Sequence, residues 1–338
     1  MSIIEKKMKK KILDQDSVGI HQILPIKYQW AREFYLSGIA NTWTPDEISM
    51  YLDGSQWKSN TALTKQERRI TLWSLGFFAT AESLTANNII LAIYKHIENP
   101  ECRQYLLRQA FEEALHTDTF IYCCDSLSLN LDTIYNAYQA VPTINEKDEF
   151  VVSLTKDITD PHFQIKTTQD IQKFIKNIIG FYVIMEGIFF YAGFAQMLYL
   201  KKLGKLTGIG QQFEYIMRDE SIHLAFGCQL IKTIKEEYPH AWTEHYQEEI
   251  ISLIKKAVEL ETIYIYDSMN LHGDIQPISF VQYIQFIADR RLERLGLPIQ
   301  YGVSNPLSWM SISTDLSKEK NFFETKVTEY QTGGALEW

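Results

Sequence analysis

Basic residues are in deficit in this chain of 338 residues: 33 lysines and arginines stand against 42 acids, for a net charge of −9. They are scattered apart from a short run between Lys6 and Lys11. No electropositive face for a nucleic acid is expected from that pattern. Cysteine is scarce as well. Cys102, Cys123, Cys124 and Cys228 match no metal-ligand spacing, and the vicinal pair is poorly placed to bridge. Reduced thiols in a cytoplasmic protein are the expectation. No apolar stretch with a small-residue cleavage site follows the lysine-rich start, so a signal peptide is not expected. Strand patterns are also few, and helical periodicity dominates.

Only one hydrophobic run is long enough to cross a bilayer, from Ile178 to Leu200, and Glu186 and Gln196 interrupt it. A carboxylate inside lipid is costly, whereas a helix apolar all round suits the centre of a large helical core. The run is therefore expected to be a core helix, with no membrane partner. With 46% hydrophobic and 22% charged residues the chain is globular, and its length allows one large domain or two ordinary ones.

The periodicity predicts an all-α fold with main helices near 65–94, 101–129, 168–202, 206–236, 246–270 and 277–295, and shorter ones near 27–37 and 46–52. Asn99-Pro100, Pro161, Gly204 and Pro239 punctuate them. After Pro298 glycine, serine and proline increase and the helical period fades. Residues 1–20 are read as an N-terminal arm, 21–308 as the helical domain, and 309–338 as a flexible tail. The tail's aromatics, Phe322, Phe323, Tyr330 and Trp338, suggest a docking peptide.

A twofold motif lies on this scaffold. Glu82 precedes Glu113 and His116, and Glu186 precedes Glu220 and His223, each across a gap of about thirty residues. Positions three apart share a helix face, so each Glu-x-x-His pair can aim a carboxylate and an imidazole at one point. Apolar residues flank the ligands at helical spacing: Leu75, Phe78 and Ile89 around Glu82; Ile179, Tyr182, Phe189 and Phe190 around Glu186; Phe213, Ile216 and Leu224 around Glu220. The ligands should therefore be buried. Four buried carboxylates are costly unless cations compensate them, and two divalent ions balance their charge. Two single glutamates plus two Glu-x-x-His pairs are the ligand set of ferritin-like dimetal bundles. Four carboxylates with two imidazoles suit iron or manganese better than zinc. A third Glu-x-x-His, Glu237 and His240, is broken by Pro239 and lacks a matching helix.

The order of residues around this set resembles the small subunit of class I ribonucleotide reductase. The resemblance is carried by Pro25-Ile26-Lys27-Tyr28, Trp43, Gly76-Phe77-Phe78, Phe111-Glu112-Glu113, Met185-Glu186-Gly187-Ile188-Phe189, Arg218-Asp219-Glu220 and Tyr330. It implies a ferritin-like homodimer whose dimetal site uses oxygen to generate an oxidant, which passes to a cysteine of a separate large subunit where ribonucleotides are reduced. The tail would dock on that subunit. The family's relay of tryptophan, aspartate and ligand histidine maps onto Trp43, Asp219 and His116, and Tyr330 would carry the hole across the boundary. Tyr215, five residues before Glu220, is a candidate to pass an electron inward during activation, with Trp43.

One departure is informative. Most of the family has a radical-bearing tyrosine four residues after the first ligand histidine; here that residue is Phe120. Phenylalanine has no phenolic proton to lose, and Tyr122 points from another face of the helix. Phe120, with glutamate as first ligand at Glu82, resembles the class Ic, chlamydial-type small subunits. That likeness implies a manganese–iron cofactor whose oxidised form replaces the tyrosyl radical, with a di-iron cofactor as the other candidate. By the same likeness Phe190, Phe194 and Ile216 line the pocket beside Phe120. The competing function is a stand-alone manganese–iron or di-iron ligand-binding oxidase, which needs neither relay nor docking tail. Arg290, Arg291 and Arg294 are expected to pair with local acids on a helix surface. Gly208 and Gly210 lack the third glycine and the strand context of a dinucleotide loop.

Overall fold

The computed structural model describes residues 3–14, 24–269 and 276–310, and among these there is no strand. The helices, in chain order, are α1 (Ile3–Lys9), α2 (Gln29–Ala40), α3 (Tyr51–Lys58), α4 (Lys65–Asn88), α5 (Pro100–Ser126), α6 (Pro142–Thr155), α7, α8 (Thr207–Glu237), α9 (Glu244–Ser268) and α10 (Pro277–Arg294). α7 is continuous from Thr168–Ile178 through a π-helical stretch, Ile179–Phe189, into Phe190–Lys202. α4 likewise runs on through a shorter π stretch, Ile89–Ile93.

The helix starts follow from local chemistry. At α4 the Thr64 hydroxyl accepts the Glu67 N–H at 3.2 Å, and the Glu67 carboxylate accepts the Thr64 N–H at 2.7 Å. Thr167 and Asp170 repeat this reciprocal cap at α7. At α5 the Asn99 side chain caps Cys102 N–H, with Pro100 at the first helical position. The start of α8 is capped from another element. Leu206 enters it at φ 47, and Asp53 of α3 accepts the N–H groups of Gly208 at 3.0 Å and Ile209 at 2.9 Å.

α4 packs on α5, α7 on α8, and the second half of α7 on α4 and α10. The most apolar part of α7 is wholly enclosed by protein. Two glycines allow the closest approaches. A Cβ at Gly193 would lie 2.4 Å from Phe78, and one at Gly227 only 2.2 Å from Tyr182 Cγ.

Several expectations are corrected. The helix read near 46–52 is a single 3-10 turn, Pro45–Glu47, followed by Tyr51–Lys58, because backbone at Ile48 returns to an extended conformation. Helix α6 and the short helices Leu131–Tyr135 and Ala137–Ala140 were not anticipated. The buried face of α6 carries Lys147 and Asp148, which breaks its apolar period. Lys147 meets Glu261 of α9 at 2.7 Å. Arg291 is not on a surface: it is buried, donates from Nε to the Gly187 carbonyl at 2.9 Å, and lies 4.6 Å over the Tyr191 ring. Its guanidinium thus serves the π stretch of α7. Arg290 and Arg294 are half-buried. The broken third motif is a clamp: Glu237 accepts the Tyr28 hydroxyl at 2.7 Å and the Ile12 N–H at 2.6 Å, tying the N-terminal arm to the bundle.

At the other end, Met310 is buried and Trp309 packs on Tyr199 with Lys202 over its ring, so the first two residues after 308 lie against the helical bundle. The rest of the expected tail, with Phe322, Phe323, Tyr330 and Trp338, lies outside the described residues.

Substituting Gly227→Ala forces the Tyr182 ring from its seat. Denaturant melts of the variant are expected to show a loss of roughly 1–3 kcal/mol, the usual cost of overpacking a core. An unchanged midpoint would mean that the two helices can separate at no cost.

Candidate metal centre

Four helices converge on one buried cluster. α4 contributes Glu82, α5 Glu113 and His116, the π stretch of α7 Glu186, and α8 Glu220 and His223, all without solvent exposure. Their donor atoms form two overlapping groups, Glu82, Glu113, His116 and Glu220 in one and Glu113, Glu186, Glu220 and His223 in the other, each group spanning no more than 4.8 Å. Glu113 and Glu220 belong to both groups. His116 Nδ1 lies 3.1 Å from Glu220, 3.4 Å from Glu82 and 3.7 Å from Glu113. His223 Nδ1 lies 3.2 Å from both Glu113 and Glu220.

Glu82 Oε1 and Glu186 Oε2 are buried with no hydrogen-bond partner, and Glu220 Oε1 and Glu113 Oε2 have only His116 Nδ1 nearby, at 3.1 Å and 3.7 Å. Buried acceptors of this kind are costly unless a cation satisfies them, so the donor set fits two divalent ions. The electrostatics agree. Burial pushes Glu82 and Glu186 well above the usual carboxylate range. Glu113 lies below that range because, against its burial, His223 and His116 hold its charged form. Burial disfavours the charged imidazoles, yet Glu82 and Asp219 beside His116, and Glu220 beside His223, raise both. The raised groups favour their protonated forms, with which a bound ion would compete.

Each glutamate shared by the two groups is preceded in sequence by an acid, and each acid lies against the histidine of the opposite motif. Asp219 Oδ2 lies 3.4 Å from His116 Nε2 and accepts the Trp43 indole N–H at 2.7 Å. Arg218 donates to the other Asp219 oxygen at 3.2 Å. Burial alone would raise the Asp219 carboxyl, but His116, Arg218 and Trp43 hold it below the usual range. In the mirror arrangement Glu112 lies 2.9 Å from His223 Nε2 and accepts from Arg108 at 3.0 Å. The sequence reading missed Glu112 and Arg108, although the shared acid-Glu-x-x-His pattern carried the signal. Gln109 was missed too. Its amide nitrogen lies 3.3 Å from both Glu113 and Glu186.

The remaining candidates separate into two neighbourhoods. Trp43 is stacked on His116 with ring centroids 6.3 Å apart, and Tyr215 meets Trp43 edge-on at 5.2 Å. Phe120 is buried and stacks on Phe78 at 5.5 Å beside Phe213 at 5.7 Å. Phe78 in turn lies 4.7 Å from Phe190 and 5.2 Å from Phe194, closing an all-phenylalanine cage. Ile216 is buried one turn before Glu220. The Tyr122 hydroxyl donates to the Ile48 carbonyl at 3.1 Å, which engages it away from the ligand cluster. Tyr330 lies outside the described residues.

The family model for the ribonucleotide reductase small chain matches residues 20–306. The chain belongs to this family. The ribonucleoside-diphosphate reductase subunit beta of Chlamydia pneumoniae is 54% identical to it over 332 residues, which cover 98% of this sequence and 95% of that protein. The ribonucleoside-diphosphate reductase small subunit of Dictyostelium discoideum is 29% identical over 321 residues, 93% of this sequence and 88% of that one. The solved ribonucleotide reductase R2 subunit from Clostridium botulinum shares the fold with a TM-score of 0.81 at 27% identity, covering 90% of this sequence and 94% of that structure. The protein is thus a small subunit of ribonucleoside-diphosphate reductase, an oxidoreductase with a ferritin-like helical fold.

Glu113→Ala removes a carboxylate shared by both donor groups of this small subunit. Metal analysis after reconstitution is expected to find the site empty or disordered; full metal content would overturn the assignment of Glu113 as a ligand.

Proposed function

We propose that Glu82, Glu113, His116, Glu186, Glu220 and His223 hold one manganese and one iron ion, and that the small subunit delivers a one-electron oxidant from this site to its large subunit. The observation that carries the reading is Phe120, a residue with no ionisable hydroxyl, closed in a cage of phenylalanines where a stored tyrosyl radical would otherwise sit. When bound, such a metal pair supplies oxygen-derived one-electron oxidising power. The protein's own residues do the rest. Phe78, Phe120, Phe190, Phe194, Phe213 and Ile216 exclude water and stray reductants from one side of the cluster.

His116, Asp219 and Trp43 form a hydrogen-bonded series leading away from it. An electron leaving the indole of Trp43 toward the cluster leaves positive charge on the ring, and the Asp219 carboxylate, 2.7 Å from its N–H, is positioned to stabilise that charge. Tyr215, edge-on to Trp43, is positioned to pass an electron inward during activation. Tyr330, on the tail that docks to the large subunit, carries the hole across the subunit boundary. This relay disfavours a stand-alone oxidase, which has no use for an exit path.

Two further elements complete the reading. Leu36 and Ile39 of α2 and Leu107 and Phe111 of α5 are exposed on packed helices, which supports a homodimer contact there. The free thiols of Cys102, Cys123 and Cys124 support a cytoplasmic setting.

Protein loaded with both metals and exposed to oxygen should carry about one manganese and one iron ion per chain, no tyrosyl radical by electron paramagnetic resonance, and activity that depends on the large subunit. Iron alone, or a radical on another tyrosine, would overturn the proposed role of Phe120. Tyr330→Phe should abolish nucleotide reduction while leaving the metal oxidant's spectrum intact; surviving turnover would count against the relay.

A further inference from the structure

The two ion positions are matched in ligands but not in what surrounds them. Gln109 lies one turn before Glu113 on α5 and is fully buried. Its Nε2 lies 3.3 Å from Glu113 Oε1 and 3.3 Å from Glu186 Oε1, and its Oε1 accepts the Tyr182 hydroxyl at 2.7 Å. An amide has one donor end and one acceptor end. Turned over, it would set its carbonyl oxygen against two carboxylate oxygens, so only one orientation is tolerable. Tyr182 reinforces that orientation by donating to the carbonyl end. Tyr182 is itself fixed, buried on the π stretch that also carries Glu186, with its ring against Gly227. Gln109 thereby engages Oε1 of Glu186 and leaves Oε2 as the unpartnered oxygen available to an ion. Glu82, at the other position, faces His116 from Oε2 at 3.4 Å, and its Oε1 has no hydrogen-bond partner.

We propose that Gln109, aimed by Tyr182, is a positioning residue that holds the mutually repelling carboxylates of Glu113 and Glu186 in the orientation that receives the ion at the Glu186–His223 position. This deepens the proposed function and rests on its reading of the six residues as ligands for two ions. The consequence is asymmetry: an amide sets the affinity of one position, and among the described residues no such amide serves Glu82. Similar divalent ions accept similar ligands, so a difference in the ligands' surroundings is a means by which a protein can distinguish two positions.

The test is an anaerobic titration of the metal-free full-length protein with Mn(II), followed by electron paramagnetic resonance of free and bound manganese, for the unaltered protein, Gln109→Leu and Tyr182→Phe, with thermal melts of each. The unaltered protein should bind two ions. Gln109→Leu should keep one and bind the other roughly 10- to 100-fold more weakly. Tyr182→Phe, which loses only the hydroxyl that aims the amide, should weaken the same ion about fivefold. If Gln109→Leu does not fold, Tyr182→Phe decides alone. Unchanged affinities in the variants would overturn the role of Gln109 and leave the metal centre standing, and so would equal weakening of both ions. An unaltered protein that binds no manganese would overturn the metal reading and this inference with it.

Discussion

Four glutamate carboxylates meet at the centre of an apolar bundle, and Glu82 and Glu186 each keep a buried oxygen with no hydrogen-bond partner. In such surroundings, like charges at this separation repel strongly and hydration is gone, so positive charge must be supplied from within. Two divalent ions would supply it, and the donor grouping, with His116 and His223 as neutral donors, fits two. The other main features of the interior answer to that demand. The π stretch of α7 brings Glu186 into the cluster, Arg291 supplies a donor to that stretch, and Asp53 caps the start of the helix that carries Glu220 and His223.

The contacts around the two histidines are built alike and differ in one respect. Each imidazole meets an acid that immediately precedes the opposite motif's glutamate, and each acid meets an arginine. Only the Asp219 arm also receives an indole, from Trp43. Glu112 ends in Arg108, a group that does not lose electrons, so that arm holds its ligand without offering an outlet. Of the two arms, only the one through Asp219 ends in a redox-active side chain. The phenylalanine cage around Phe120 insulates the cluster on another side.

Some of this was legible in the sequence and some was not, for physical reasons. The six clustered residues and the helices that carry them could be read because a three-residue spacing on an amphipathic helix places both side chains on one face, a local property. Trp43, Asp219 and Phe120 could be named by likeness to the ribonucleotide reductase small subunit, and the structure brings Trp43 and Asp219 into hydrogen-bonding distance. Helix α6 escaped because its buried face carries Lys147 and Asp148, and the ion pair that makes this tolerable comes from Glu261, far along the sequence.

The local pattern of the sequence determined an all-helical fold, two matched ligand sets and a core helix too apolar to be exposed, because periodicity and residue type act within a few turns. Only the tertiary structure decided which acid meets which histidine, that Arg291 is buried against the Gly187 carbonyl, that Glu237 clamps the N-terminal arm, and that Gln109 spans Glu113 and Glu186 with Tyr182 behind it. Those pairings join residues on different helices. Their partners are fixed by how the helices pack around the cluster, and no spacing along a single helix encodes that.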